Sequence, residues 1–105
     1  MNIPSIIKQQ LVQTNIIIVG TWGAHKWTAL STNTLAFRVQ ARRLNGIITI
    51  TLDERQDLYN ISFYSNKSFE ILLKKPLKKF EDIQGVYYDQ LLYLIDEQIE
   101  KAAKD

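Results

Sequence analysis

The chain has 105 residues, of which 46% are hydrophobic and 23% charged, with a formal net charge of +2. That length supports one domain, which hides roughly two-thirds of its unfolded surface on folding and needs no staples. Cysteine is absent and histidine occurs once, at His25, which excludes disulfides, thiolate chemistry and multi-histidine metal cages. No apolar run approaches the roughly 18 residues of a membrane span, and no basic-then-apolar leader pattern opens the chain, so no membrane partner and an intracellular setting are expected.

Charge is strongly polarised along the sequence. Residues 1–52 carry Lys8, Lys26, Arg38, Arg42 and Arg43 without a single carboxylate, and the first acid is Asp53. From Glu81 onward seven acids face only Lys101 and Lys104. Between them lies a basic island, Lys74-Lys75-Pro76-Leu77-Lys78-Lys79. Such asymmetry bears on partners rather than on fold.

In chain order, Pro4 suits a first helical turn, and Ile3, Ile6, Ile7, Gln10 and Leu11 follow at helical spacing, predicting a helix over 3–13. The β-branched run Ile16-Ile17-Ile18-Val19 reads as a buried strand ending at Gly20. Thr21 to Trp27 reads as a loop, with a strand resuming at Thr28 to Leu30 before the Ser31-Thr32-Asn33 turn. Leu35, Phe37 and Val39 alternate with Thr34, Arg38 and Gln40, as a half-buried strand requires. Asn45-Gly46 is a strong turn signal. Ile48, Ile50 and Leu52 then alternate with Thr49 and Thr51, and Asp53 to Asp57 reverses the chain. Tyr59, Ile61 and Phe63 alternate with Asn60, Ser62 and Tyr64, and Phe69, Ile71 and Leu73 suggest a last strand stopped at Pro76. A long helix is predicted over Ile83–Ala103, capped by Asp82, with Tyr87, Leu91, Leu94, Ile95, Gln98 and Ala102 on its inner side. The expectation is an α+β domain spanning 1–105: an antiparallel sheet of about five strands, flanked by an N-terminal helix and a longer C-terminal one.

Catalytic chemistry finds little purchase. Gly20 and Gly23 have the wrong spacing for a phosphate-cradling loop, and nothing resembles a nucleophile elbow around the serines. Asp53, Glu54 and Asp57 could be weighed as magnesium ligands, but they fall where a reversal needs turn residues. No enzymatic activity, cofactor or metal is therefore expected. Binding chemistry is better represented. Arg38, Arg42 and Arg43 offer guanidinium forks for phosphate, and Trp22 and Trp27 flank Lys26 in a segment that could stack unpaired bases. Nucleic-acid contact through this basic strand and loop is the leading expectation. The rival is a protein-binding inhibitor whose acidic helix, through Asp89, Tyr93, Asp96, Glu97 and Glu100, engages a basic partner.

The order of several short motifs also resembles a family of small uncharacterised proteins of bacterial phages, prophages and mobile elements. Ile3-Pro4 with Gln9-Gln10-Leu11, Gly23-Ala24 with Lys26, Asn33-x-Leu35-x-Phe37-Arg38, Ile50-Thr51-Leu52 followed by Asp57 and Tyr59, and Gly85-Val86-Tyr87 carry the likeness. The resemblance implies an accessory protein of a mobile element in the cytoplasm of a bacterial host. On that basis the rival's target is a host defence or nucleic-acid-processing factor.

Overall fold

The computed structural model describes residues 2–40, 45–65 and 79–104. Its order is α1 (Ile3–Thr21), β1 (His25–Ser31), β2 (Thr34–Gln40), β3 (Asn45–Asp53), β4 (Leu58–Ser65), β5 (Lys79–Val86), a 3-10 turn (Tyr88–Gln90) and α2 (Leu91–Lys104). The five strands pair in chain order as one antiparallel meander, giving the expected α+β arrangement with a helix at each end. The N-terminal helix, however, is the longer of the two, 19 residues against 14, because α1 continues past Asn15 and β5 takes the residues expected to open α2.

Asn2 caps α1 by accepting the Ser5 N–H at 3.1 Å, and Pro4 occupies the first turn. The helix does not stop at residue 13. At Asn15 the backbone leaves helical geometry (φ −166°, ψ 95°), and the Asn15 Oδ1 accepts the N–H groups of Ile17 and Ile18 at 3.1 and 3.2 Å. Asn15 thus serves as the N-cap of a second helical segment. The β-branched run expected as a strand forms that segment instead. Val19 and Trp22 are buried beneath it while Ile16 and Ile17 face outward. Packing of one side overrides an intrinsic β preference that is worth about 1 kcal/mol at most across the scale.

The predicted loop at 21–27 shrinks to a short turn. Gly23 adopts φ +63°, and a side chain there would place its Cβ 2.8 Å from the Gln40 carbonyl oxygen. That close approach lets the Gln40 N–H donate to the Trp22 carbonyl at 2.8 Å, tying the end of α1 to β2. β1 consequently begins at His25 and includes Lys26 and Trp27. Its register is irregular between His25 and Thr28, where Lys26 takes φ 54°, and such a bulged, lysine-bearing edge resists pairing with another strand. Asn45-Gly46 is not a turn: Asn45 pairs with Gln40 and Gly46 with Val39 inside the β2–β3 ladder.

Alternation along β2, β3 and β4 is as expected. Leu35, Phe37, Val39, Ile48, Ile50, Tyr59, Ile61 and Phe63 form one buried face, covered by Ile7, Leu11, Val19 and Trp22 of the α1 end and by Leu91, Leu92, Ile95 and Ile99 of α2. The opposite face carries a cross-strand row, Thr28-Ala36-Thr49-Ser62-Asp82. Its centre is not the open platform that the alternation suggested, because Ala36, Ile47, Thr49 and Ser62 are all buried.

The C-terminal helix starts later than its periodicity predicts. Residues 83–86 belong to β5, and Asp82 does not cap a helix but accepts the Ser62 hydroxyl at 2.7 Å across the ladder. Between the pairs Tyr59–Val86 and Ile61–Ile83 the β5 strand bulges, with Gly85 at φ +71° donating its N–H to the Asn60 side chain at 3.1 Å. The predicted strand at Phe69, Ile71 and Leu73 and most of the lysine island, Lys74 to Lys78, lie outside the described residues.

Candidate functional site

The expected nucleic-acid surface separates into pieces. Trp22 is only 1% exposed, and its indole Nε1–H donates to Asp96 Oδ1 at 3.0 Å. It is a core residue, so its assignment to base stacking is corrected. A helix that continues to Thr21 carries the indole inward onto Phe37 and α2, where a loop would have displayed it. Trp27 is half-buried and its ring is engaged twice. Phe37 stacks on it with centroids 4.4 Å apart, and the Lys8 ammonium lies over the ring 5.0 Å from its centroid.

Of the cations, Lys26 is exposed on the edge strand, and Arg38 is half-buried opposite His25 in the register. The His25 Nδ1 lies 2.7 Å from the Gly23 carbonyl, which fixes the proton on that nitrogen. Arg42 and Arg43 lie outside the described residues. Asp53, Glu54 and Arg55 border a shallow cleft of about 500 Å³ with Asn33, Thr51 and Asn60. Its polar groups mainly hold turns: Asp53 Oδ1 accepts the Arg55 N–H, and Asn33 donates to the Leu52 carbonyl. Among the described residues no cluster of three metal-ligating side chains occurs. No helix among them is long and apolar enough to cross a membrane.

The opposite end of the molecule is more coherent. The bulge at Gly85 ends β5, and Tyr87 follows in extended geometry (φ −72°, ψ 151°), its carbonyl accepting the Gln90 N–H at 3.0 Å. The chain then enters α2, which Leu91, Leu92, Ile95 and Ile99 anchor in the core. With those four side chains turned inward, Tyr93 and Glu97 between them face solvent, while Leu94, Asp96 and Gln98 are half-buried. Tyr87, Tyr88 and Tyr93 are 60%, 63% and 58% exposed, and Asp89 and Glu97 are exposed beside them in sequence. Tyr93 and Glu97, four apart on α2, are neighbours on its surface. Residues 82–97 contain Asp82, Asp89, Asp96 and Glu97 and no cation.

Three members of the predicted acidic surface, Asp89, Tyr93 and Glu97, therefore stand where a partner can reach them. Asp96 is half-buried in its bond to Trp22 and has a structural duty, and the Glu100 side chain lies outside the described set. Tyr87 and Tyr88 were not foreseen as site residues, since helical spacing had placed Tyr87 on the inner side. The Tyr87-Tyr88 doublet was itself a signal, because adjacent residues about 100° apart on a helix cannot both sit at the centre of one buried stripe. Compared with known protein families, curated proteins and solved structures, the chain matches none.

Proposed function

We propose that this protein is a non-catalytic binding module whose working surface is the acidic, tyrosine-bearing end built from the 3-10 turn and the start of α2, and that it docks on a basic surface of another protein. The observation that carries this reading is the trio of exposed tyrosines on a stretch with carboxylates and no cation. Tyrosine is enriched at interfaces because a rigid ring supplies contact area and its hydroxyl a hydrogen bond. Carboxylates around it steer a cationic partner and set its orientation. A host defence or nucleic-acid-processing factor with a basic groove is the kind of partner such a surface fits, in keeping with the resemblance to phage and mobile-element proteins.

A second reading retains nucleic acid as the partner of the other end. It is favoured by one observation: residues 1–52 hold five cations and no acid, with Lys26 exposed on β1 and Arg38 opposite His25. One experiment separates the two. Fluorescence anisotropy compares a labelled cationic peptide with labelled single-stranded DNA, duplex DNA and RNA, each at low and physiological salt. Peptide binding that Asp89→Lys with Glu97→Lys abolishes supports docking on a protein. Salt-sensitive binding of nucleic acid alone moves the function to the basic end.

A further inference from the structure

α1 rests on β2 and on α2, so it leaves the neighbouring edge strand β1 only partly covered. Ala29 marks the gap. It pairs with Leu35, a core residue, and so lies on the helix side of the sheet, yet it is exposed. Two hollows open there and share Asn2, Pro4 and Ala29 in their walls. The first, of about 200 Å³, is bounded by Ser5, Lys8, Trp27 and Thr28 and reaches Leu35. The second, of about 670 Å³, continues along β1 to Ser31 and Thr32. The strand from Trp27 to Thr32 thus lines one groove, roughly 16 Å long at the rise of a β-strand.

The walls of this groove carry an ammonium, an indole, an amide and several hydroxyls, and no carboxylate. Lysine, serine, threonine and asparagine are among the side chains by which proteins hold the phosphates of nucleic acid. The Lys8 ammonium stands over the Trp27 ring, 5.0 Å from its centroid, in a half of the chain that holds no acid. A cation–π contact at an exposed site is weak. An entering phosphate therefore draws the ammonium from the ring, and a base takes its place on the indole, as aromatic platforms for single strands allow with any base. An acidic peptide matches the charge but brings no base to the ring, and the bulged edge of β1 denies it a regular ladder. A duplex keeps its bases stacked on one another and presents only its backbone.

We infer that the groove between α1 and β1 is a site for single-stranded nucleic acid, with Lys8 pairing a phosphate and Trp27 receiving a base. This rests on the second reading above and adds where on the basic end the strand lies. The test uses the full chain with a short labelled thymidine strand, its uridine counterpart, a duplex and a glutamate peptide, each followed by anisotropy across a range of salt. The thymidine and uridine strands distinguish DNA from RNA. Lys8→Gln should weaken strand binding about fivefold and lower the slope of log affinity against log salt by about 0.7, the share of one phosphate on a single strand. Lys8→Arg should restore both. Strand binding should also quench tryptophan emission, and Trp27→Phe should remove that quench, since Trp22 is closed in the core. Lys8 is exposed, so its variants should keep the parent's urea midpoint and hold the test apart from any packing lost at Trp27.

A strand that binds Lys8→Gln with unchanged affinity and salt slope overturns the inference while leaving nucleic acid as a partner of the basic end, held elsewhere. A quench that survives Trp27→Phe overturns the role of that ring. Equal binding of the duplex or of the glutamate peptide also overturns the inference, since charge alone then suffices. Binding of no strand at low salt refutes it together with the nucleic-acid reading on which it depends.

Discussion

Replacing Asp96 with alanine removes the acceptor of the Trp22 indole N–H and leaves that donor in the core. Trp22 is 1% exposed, so water cannot replace the lost oxygen without opening the contact between α1 and α2. An unsatisfied buried donor costs about 1–3 kcal/mol. Asp96 itself is half-buried, so its carboxylate keeps part of its hydration and solvent screening weakens the bond toward the lower part of the range for charged acceptors. The expected loss is about 2 kcal/mol, which in a domain of this size lowers Tm by roughly 10 °C. Urea unfolding followed by far-UV circular dichroism measures it, with an unchanged slope excluding a change in the unfolded state. A double-mutant cycle with Trp22→Phe isolates the pair from the packing lost with the smaller ring. A coupling of about 1 kcal/mol or more is expected. A loss below about 0.5 kcal/mol for Asp96→Ala, or a coupling near zero, would refute the claim that this bond ties the helices together.

Three glycine positions should respond differently to alanine. Gly23→Ala meets both a left-handed φ and a carbonyl oxygen 2.8 Å away and should cost on the order of 2–3 kcal/mol by urea unfolding. Gly85→Ala meets only the φ, with Leu58 Cδ1 at 3.9 Å, and should cost about 1 kcal/mol. Gly20→Ala, helical and with open space around it, should stabilise by about 0.5–1 kcal/mol. Asn15→Ala removes the cap of the second segment of α1 and should cost about 1 kcal/mol, whereas Asn15→Ser should recover most of it. Burial, aided by the Asp57 charge, holds the Tyr59 hydroxyl above its ordinary value. Because the folded state then favours the neutral phenol, stability from this group is full below the unfolded value near 10 and declines as pH rises beyond it. Tyr59→Phe should flatten that alkaline decline, read as urea midpoints across the alkaline range.

The central sheet was legible because β2, β3 and β4 each bury one face, and a period of two has only one register that places Leu35, Phe37, Ile48, Ile50, Ile61 and Phe63 together. The ends were less legible for reasons that are local. Ile83, Val86, Tyr87 and Leu91 fall at i, i+3, i+4 and i+8, a helical pattern, yet the first two are strand residues that pair with Ile61 and Tyr59. What decides between the readings is the free edge of β4, a tertiary feature that spacing within the segment does not encode. Ile16 to Val19 failed in the other direction: β-branched residues suggested a strand, while the cap at Asn15 and the inward side chains at Val19 and Trp22 make a helix.

Those two shifts also explain why the site was only half visible. Extending the helix to Thr21 turned Trp22 from a displayed ring into a core ring. Ending β5 at Val86 turned Tyr87 from a buried stripe to the surface. The consequence for mutagenesis is direct. Asp96 and Glu97 are adjacent in the sequence and were grouped as one acidic surface, but the fold divides them, one bonded to Trp22 and the other exposed beside Tyr93. Asp96→Lys would therefore abolish binding by unsettling the contact between helices, and that loss would say nothing about docking. Reversing Asp89 and Glu97 leaves the Trp22 bond in place, so it should weaken capture of a cationic peptide while the unfolding free energy read from urea stays within about 0.5 kcal/mol of the parent. A comparable loss of stability in that double variant would place Asp89 or Glu97 in the framework and remove them from the surface.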